Sequence, residues 1–226
     1  MSKSRRKAEK FSHERRPEPI RPLTPNQGVY LDALRDSQQI IVMGPAGTGK
    51  TFIAGTHAAD QLRLHRVRRV IITRPNVPAG RSLGYFPGTL EEKFAPWVAP
   101  LTGVISQRLG SNVFDNAVRN DDIIVVPFET MRGSSWDHSL IILDEAQNTL
   151  PQEMKLFLTR IGEGSQVIIN GDVSQTDLKE TSGLRKVIHM VKKYSLPVPI
   201  IEFTMDDIVR SDICAQWVRA FHEEGI

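Results

Sequence analysis

Cysteine is almost absent from this chain, since Cys214 is the single one in 226 residues. An internal disulfide is therefore excluded, and the composition fits a reducing compartment. No apolar run approaches the roughly 18 residues that a membrane-spanning helix needs. The basic N-terminal residues lead into Pro and Glu rather than into an apolar stretch, which argues against a secretory signal. We therefore expect a cytoplasmic protein with no membrane association.

Zinc-binding patterns are also missing, and aromatic residues are few. The six histidines show no metal-ligand spacing with carboxylates or with Cys214, so no structural zinc is predicted. Aromatic residues make up 7% of the chain, and such side chains favour burial. We expect Trp97, Trp136 and Trp217 to pack in the core or in an interface. Cys214 is expected to act as a small hydrophobic residue on the last helix.

Positive charge is concentrated at the N-terminus. Residues 1–22 carry a net charge of +5, whereas residues 23–226 carry a net charge of −2. The first segment is predicted to be a basic, disordered arm, suited either to phosphate backbones or only to keeping the protein dissolved. The remainder is predicted to be a single domain. Its faint negative charge excludes nucleic-acid binding through bulk charge, so any such binding must be local.

Short apolar segments alternate with helical patterns along the domain. This alternation predicts an α/β fold, a three-layer parallel sheet with helices on both faces. Ligands of such sheets bind at the carboxyl ends of the strands. The predicted strands are 38–43, 69–73, 122–126, 139–143, 166–170 and 199–203, and the predicted helices are 24–35, 50–65, 89–109 with breaks at Pro96 and Pro100, 151–161, 183–193 and 211–223.

The segment after the first predicted strand matches the phosphate-binding P-loop pattern G-x-x-x-x-G-K-[ST]. Its glycines allow consecutive backbone N–H groups to surround a β-phosphate, and the following helix adds the positive end of its dipole. Lys50 is predicted to reach the β- and γ-phosphates of ATP, and Thr51 to place its hydroxyl on Mg²⁺. The predicted nucleotide-binding residues here are Gly44, Pro45, Ala46, Gly47, Thr48, Gly49, Lys50 and Thr51.

Two carboxylates follow the fourth predicted strand, in the sequence Ile-Ile-Leu-Asp-Glu-Ala-Gln-Asn. Asp144 is expected at the carboxyl edge of the sheet, where it can bind the Mg²⁺ through water. Glu145 is placed to activate the attacking water as general base. The pair could instead merely open the following helix, since carboxylates favour helix N-termini. Beside a P-loop, the pair favours ATP hydrolysis over nucleotide binding alone.

The fifth predicted strand ends in Asn-Gly-Asp-Val-Ser-Gln, which brings Gln175 to the same edge of the sheet. A glutamine at this position can hydrogen-bond the γ-phosphate or the attacking water and so sense the nucleotide state. The alternative is a turn rich in helix-capping residues. The spacing favours the sensor role slightly.

Residues 74–88 follow the second predicted strand and have neither a helical nor a strand period. Loops of this length inside compact domains are uncommon and tend to be functional or disordered. Arginine with aromatic residues offers charge for a nucleic-acid backbone and stacking surfaces for bases. Two interpretations stay open, a grip on single-stranded nucleic acid and a contact with a neighbouring subunit. The residues predicted to touch nucleic acid are Arg74, Arg81, Tyr85 and Phe86.

These segments, together with FETMRG at 128–133 and LTRIGEGS at 158–165, resemble the PhoH family over about residues 22–223. The resemblance implies a P-loop NTPase (RecA-like) domain, built like the first motor domain of superfamily-1 helicases. Asp144 and Glu145 then match the motif II carboxylates, and Gln175 matches the motif III glutamine. Arg210 looks like the family's arginine that contacts the γ-phosphate.

Two of the implied assignments have alternatives. Gln27 takes the place of an adenine-reading glutamine, but it also completes a capping box that begins at Thr24, so it could instead bind the Thr24 N–H. Arg132 is the alternative to Arg210 as the arginine that stabilises developing charge on the γ-phosphate. Neither the sequence nor the resemblance decides whether this arginine acts within a subunit or on a neighbouring one.

Two functions fit these features. The first is a Mg²⁺-dependent ATPase that binds, and remodels or unwinds, single-stranded nucleic acid, with RNA favoured. Because a superfamily-1 helicase has two motor domains and this chain has one, a homo-oligomeric ring is expected, and the resemblance indicates a hexamer. The alternative is a regulatory ATPase whose nucleotide state controls docking to a protein partner without translocation.

Overall fold

The computed structural model describes residues 18–75, 90–128, 131, 133, 135–173, 175 and 181–224. Six parallel strands form one sheet in the order β3-β2-β4-β5-β1-β6. Apart from small differences at the ends, all six were predicted. The strands are β1 Gln39–Met43, β2 Arg69–Thr73, β3 Ile123–Val125, β4 Ser139–Leu143, β5 Gln166–Gly171 and β6 Ile200–Glu202.

Helices connect the strands and cover both faces of the sheet. One of them, α4, and two short 3-10 helices, Ala146–Asn148 and Met205–Asp207, are absent from the sequence-based prediction. The helices are α1 Pro25–Asp36, α2 Lys50–Arg63, α3 Leu90–Leu109, α4 Ser111–Arg119, α5 Pro151–Leu158, α6 Gly183–Lys193 and α7 Asp212–Glu223.

The predicted breaks in α3 are wrong, because the helix runs through both Pro96 and Pro100. A proline inside a helix removes one backbone hydrogen bond and crowds the preceding turn. Both prolines are exposed, as are Ala95 and Ala99, so water can reach the carbonyl groups that lose their partners. The opposite face, with Val98, Leu101 and Ile105, is buried and holds the helix against the sheet.

Alternate residues of each strand enter two separate cores. One core lies between the sheet and α1 to α4 and includes Ile40, Val42, Ile72 and Ile142. The other core lies between the sheet and α5 and α6. Every residue of β4 is buried, as expected for a central strand covered on both faces. The α/β architecture with a three-layer parallel sheet is therefore confirmed.

The strand order places three loops side by side at the carboxyl edge of the sheet. Strand β5 pairs with both β1 and β4. The segment after β5 therefore lies between the P-loop, which follows β1, and the carboxylates that follow β4. This arrangement is a P-loop NTPase fold of the RecA-like type.

The described residues before α1 contact the body of the protein. The carbonyl of Glu18 accepts a hydrogen bond of 2.7 Å from Arg108, and Ile20 packs against the core beside α1. The division of the chain at residue 22 into an arm and a domain stays a prediction. No helix in the described part of the chain is both long and apolar enough to cross a membrane.

Candidate functional site

A cleft of about 590 Å³ opens at the carboxyl edge of the sheet. It brings together side chains from the P-loop, from the ends of β4 and β5, and from the segment before α7. Of the residues predicted from the sequence, those that line it are Gln27, Ala46, Gly47, Gly49, Lys50, Thr51, Asp144, Glu145, Gln175 and Arg210.

The backbone of the P-loop requires glycine at three positions. Gly44, Gly47 and Gly49 have φ angles of +138°, +87° and +90°, a region that is open to glycine and costly for other residues. A Cβ atom on Gly47 would lie 2.7 Å from Cγ of Arg210. The loop is held at its start by a hydrogen bond of 3.2 Å from the Gly44 N–H to the Gly171 carbonyl. The result is a cradle of backbone N–H groups next to the N-terminus of α2, which suits a phosphate.

Lys50 lies folded against this loop. Its Nζ donates to the carbonyl oxygens of Gly44 at 2.5 Å and Pro45 at 2.8 Å. Burial lowers the pKa of Lys50, while the negative charges of Asp172, Glu145 and Asp144 oppose that shift. The ammonium group is thus held at the mouth of the cradle, among carboxylates that favour its charged form.

Asp144 and Thr51 together offer the oxygen ligands that Mg²⁺ prefers. The Thr51 hydroxyl donates to Oδ1 of Asp144 at 3.5 Å, and Nδ2 of Asn170 donates to the same oxygen at 3.4 Å. The other amide atom, Oδ1 of Asn170, is buried without a hydrogen-bond partner among the described residues. It is an acceptor of the kind that a water molecule on a metal ion can use, so these residues fit a hydrated Mg²⁺.

The pKa of Asp144 is raised, first by burial and second by the neighbouring charge of Glu145. Arg74 opposes this shift, followed by the hydrogen bond from Asn170 and the charge of Lys50. A buried carboxylate whose negative charge is not fully balanced by nearby positive groups is typical of a site that binds a cation.

Glu145 has a strained backbone. Its φ and ψ angles of +53° and +39° place a non-glycine residue in the left-handed region, which costs about 1–2 kcal/mol. Its Oε2 accepts a hydrogen bond of 2.6 Å from Gln147, and its Oε1 lies 4.0 Å from Nη2 of Arg74. The side chain is 40% exposed and lines the cleft, so water can reach the carboxylate. Such strain persists where the surroundings fix it, and it is frequent at functional sites.

Arg74 points toward this carboxylate and toward α3. Nη1 donates to the carbonyl of Trp97 at 2.8 Å, and the guanidinium lies 5.9 Å from the centre of the Trp97 ring. The assignment of Arg74 to nucleic-acid contact stays a prediction. The other residues predicted for that contact, Arg81, Tyr85 and Phe86, and the alternative finger Arg132 lie outside the described residues.

Gln27 is 4% exposed and connects α1 to the P-loop. Its Nε2 donates to the Thr48 carbonyl at 3.0 Å, and its Oε1 accepts from the N–H of Leu23 at 2.8 Å. The alternative prediction that Gln27 binds the Thr24 N–H is wrong, because its Oε1 accepts from the N–H of Leu23, one residue earlier. The other half of the capping box is present, since the Gln27 N–H donates to the Thr24 hydroxyl at 3.3 Å.

Gln175 and Arg210 also line the cleft. The N–H of Gln175 donates to the Asp172 carbonyl at 3.1 Å, which fixes the turn after β5. Arg210 is exposed and lies over Gly47. The adjacent Val209 N–H donates to the Gly47 carbonyl at 3.0 Å. The segment before α7 is thereby attached to the P-loop.

Sequence reasoning assigned no role to Gln147 or Asn170. Gln147 is 2% exposed, donates to Glu145, and accepts from the Asp172 N–H at 2.9 Å through Oε1. It thereby joins the ends of β4 and β5. Asn170 could have been found from its pattern, because it is the polar residue that directly follows the apolar buried run 167–169 of β5. Nothing in the local sequence indicates the partners of Gln147.

Comparisons with known proteins agree with this geometry. The model of the family described as PhoH-like protein matches residues 19–222. A PhoH-like protein of Bacillus subtilis (strain 168) is 39% identical over 208 residues, which cover 91% of this chain and 65% of that protein. Protein PhoH of Escherichia coli (strain K12) is 39% identical over 196 residues, which cover 85% and 55% respectively. The chain thus spans 55–65% of the length of these curated relatives.

Among solved structures, the crystal structure of Pif1 helicase from Candida albicans is similar with a TM-score of 0.42 and 17% identity. The aligned part covers 82% of this chain and 40% of that one.

Proposed function

The chain belongs to the PhoH family, and from this premise we propose that it is a Mg²⁺-dependent ATPase acting on single-stranded nucleic acid. The observation that carries the proposal is the meeting of three kinds of group around one cleft. These are a glycine cradle with its lysine, a buried carboxylate beside a hydroxyl, and a water-accessible second carboxylate. That set is what phosphoryl transfer from a nucleotide to water requires.

Binding of the triphosphate falls to the P-loop. Backbone N–H groups of 46–51 and the dipole of α2 attract the β-phosphate, and Lys50 turns from the loop carbonyls to the β- and γ-phosphates. Thr51 and Asp144 would hold a Mg²⁺, which when bound would neutralise charge on the phosphate oxygens. Gln27, beside the same loop, is proposed to contact the adenine.

Hydrolysis is assigned to three further residues that line the cleft. Glu145 takes a proton from the attacking water as general base. Gln175 hydrogen-bonds that water or the γ-phosphate. Arg210 stabilises charge that develops on the γ-phosphate, a contribution of roughly 10³–10⁵ in rate for such arginines. A finger role for Arg210 requires only a rotation of an exposed side chain that already lies over Gly47.

Assembly into a ring, for which we propose a hexamer, is supported by α7. Three of its apolar side chains are exposed by 72%, 62% and 49%, namely Ile213, Trp217 and Phe221. An isolated helix of 12 residues is marginal in water, and a contiguous apolar stripe at positions i, i+4 and i+8 favours a covering partner. A second copy of the chain is the expected cover. Because α7 follows Arg210 directly, such contacts lie close to the nucleotide cleft.

RNA is the favoured nucleic acid, bound in a cytoplasmic setting that the single cysteine supports. The basic residues 1–22 add charge for the phosphate backbone. The test is ATP turnover with and without single-stranded RNA at two salt concentrations. We expect RNA to raise turnover several-fold and the effect to shrink at the higher salt concentration. Turnover that does not respond to RNA contradicts the nucleic-acid role.

Lys50→Ala and Lys155→Ala form a matched pair for the same assay. Lys155 is exposed on α5 and is not among the residues that line the cleft. Loss of turnover in the first variant alone assigns the activity to the P-loop. Equal turnover in both variants would mean that a contaminating ATPase produces the signal.

The exposed face of α7 also supports the alternative, a regulatory ATPase that docks to a different protein. The two proposed functions, the nucleic-acid ATPase and the regulatory ATPase, differ in which protein covers α7. A chain that stays monomeric, with RNA-independent turnover, and that captures a partner only as the ATP-trapped Glu145→Gln variant supports the alternative. Self-association through α7 supports the ring.

A further inference from the structure

We infer that Arg74 is a positioning residue for Glu145, which it connects to helix α3. The inference rests on the proposed function, because it takes Glu145 as the base of the hydrolytic step. It gives Arg74 a role different from the strand-gripping one predicted from the sequence.

The sheet brings Arg74 to this place. Strands β2 and β4 pair in parallel with Thr73 opposite Leu143, and the Asp144 N–H donates to the Thr73 carbonyl at 3.0 Å. The residues that follow these two strands therefore emerge side by side. Arg74, Asp144 and Glu145 are the charged residues that follow these strands there, and Nη2 of Arg74 lies 4.0 Å from Oε1 of Glu145.

The guanidinium contacts two groups at the same time. Nη1 is fixed on the Trp97 carbonyl at 2.8 Å, while Nη2 faces Glu145. The Arg74 side chain is 22% exposed, so it is largely withdrawn from solvent. Two separate donors on one rigid plane can make both contacts, whereas the single ammonium of lysine cannot hold the same geometry.

Glu145 needs such support because its side chain is 40% exposed, so packing alone does not fix the orientation of its carboxylate. Gln147 holds one oxygen at 2.6 Å, and Arg74 faces the other. Removal of Arg74 leaves the hydrogen bond from Gln147, about which the carboxylate can rotate, and this lowers the rate of the chemical step more than it affects ATP binding.

Helix α3 connects this contact to the phosphate side of the site. A Cβ atom on Gly55 of α2 would lie 3.0 Å from Val104 and 3.1 Å from Leu101, so α2 and α3 are in close contact. α2 begins at Lys50. Helix α3 therefore touches the phosphate-binding helix and also holds, through the Trp97 carbonyl, the guanidinium that faces the proposed base.

The test is a double-mutant cycle between Arg74→Gln and Glu145→Gln, measured by steady-state ATP hydrolysis for kcat and KM and by single-turnover hydrolysis for the rate of the chemical step. Arg74→Gln is expected to lower kcat by about 10- to 100-fold, a part of what general-base catalysis contributes, with KM for ATP within about threefold. In the Glu145→Gln background the same change is expected to cost less than about twofold, because the group it positions is already gone. Arg74→Lys is expected to recover little of the loss.

Arg63→Gln is the matched control. Arg63 also donates to carbonyl groups of α3, those of Arg108 and Leu109 at 3.0 Å and 3.1 Å, but at the far end of the helix. Its kcat should stay within about twofold of wild type, once thermal melting has shown both variants to be folded. A comparable loss of kcat in Arg63→Gln would mean that anchoring α3, and not positioning Glu145, is what matters.

Other outcomes separate the inference from the function it rests on. An Arg74→Gln loss that is equally large in both backgrounds overturns the inference, since Arg74 then acts independently of Glu145. Unchanged kcat with weakened RNA binding overturns it in favour of a strand contact. A Glu145→Gln variant that keeps its turnover overturns the proposed base, and the inference with it, whatever Arg74→Gln does. If Arg74→Gln does not fold, Arg74→Lys carries the same cycle.

Discussion

Asp144 is the residue for which function and stability conflict most directly. Its carboxylate is 8% exposed, and burial together with Glu145 raises its pKa above the ordinary carboxyl value of 3.8. The folded protein therefore holds this proton more tightly than the unfolded chain does. As pH rises from 3.8 through the raised pKa, the free energy of unfolding falls, and above that pKa the metal-free protein bears the full cost.

Asp144→Asn is therefore expected to stabilise the metal-free protein. Each kcal/mol of relief raises the melting temperature by about 2–4 °C for a chain of this length. The gain should be largest at neutral pH and should shrink as pH falls through the raised pKa, because wild-type Asp144 then becomes neutral as well. Melting temperatures of both proteins in a metal chelator, from about pH 4 to 8, measure the effect. A variant that melts below wild type at neutral pH contradicts the assignment of Asp144 as a buried carboxylate whose charged form the folded protein disfavours.

Gly47 allows a second prediction at the scale of a residue. Gly47→Ala must accept a φ of +87° and a Cβ atom 2.7 Å from Arg210, which strains the loop by about 1–2 kcal/mol and displaces the arginine. ATP affinity, measured by fluorescence anisotropy of a labelled analogue, is expected to fall by about tenfold or more.

Gly103→Ala is the control for this change, since nothing lies within 4 Å of its added Cβ atom. It should leave ATP affinity unchanged and slightly stabilise α3, because alanine favours a helix more than glycine does. Equal losses of affinity in both variants would show that the shape of the P-loop is not what binds the phosphate.

At the scale of elements, the short helix Met205–Asp207 fixes the segment that carries Arg210. Asp207 is 3% exposed and accepts hydrogen bonds from Asn26 of α1 at 2.7 Å and from the Thr204 N–H at 2.8 Å. Burial alone would raise the pKa of Asp207, but the hydrogen bonds from Thr204, Asn26 and Thr24 outweigh it and lower the pKa. The turn is therefore stabilised by an ionised carboxylate.

Asp207→Ala is expected to destabilise the protein by about 1–3 kcal/mol, the usual cost of breaking buried hydrogen bonds to a charged group. Asp206→Ala, a change at the exposed neighbour, should cost little. The difference between the two variants should be full at neutral pH and should be lost below about pH 3.8, as pH falls through the lowered pKa of Asp207 and its carboxylate becomes neutral in the folded protein. Urea titrations at several pH values test this, and a pH-independent difference contradicts it.

The elements themselves were largely predictable, whereas their side-chain contacts were not. Continuous apolar runs such as 139–143 identified the buried strands, because a central parallel strand has no polar face. Pro96 and Pro100 misled the prediction of α3, since tertiary packing of its other face outweighs the local cost. The sequence also brought Lys50, Asp144, Glu145 and Gln175 to one edge, but the partners of Arg74 and Gln147 are set by the strand order and by the position of α3.

At the scale of the whole molecule, α7 stands out because it exposes large apolar side chains to solvent. Trp217 and Phe221 stack on each other at 5.8 Å and are exposed by 62% and 49%. The sequence predicts Trp217 in the core or in an interface. Because the side chain is exposed, the core is excluded, and the interface stays a prediction. Trp136, in contrast, is buried, and Cys214 is exposed on α7.

Trp217→Ser with Phe221→Ser is expected to convert the proposed ring into monomers, because the two changes remove the apolar surface of α7 to which we assign the association. Light scattering coupled to size-exclusion chromatography, with and without ATP and RNA, measures the mass. Tyr194→Ser is a control, since it removes an aromatic side chain that is 60% exposed outside α7. A double variant that keeps the wild-type mass contradicts assembly through α7.

Turnover of ATP by Glu145→Gln, compared with wild type, tests the central claim most directly. The claim is that this cleft hydrolyses ATP with Glu145 as base. The variant is expected to bind a labelled ATP analogue with the affinity of wild type, because the P-loop, Lys50, Thr51 and Asp144 are unchanged, while its turnover falls by about 10²- to 10⁴-fold. Wild-type protein without measurable turnover, or a variant whose turnover stays within about threefold of wild type, would contradict the account.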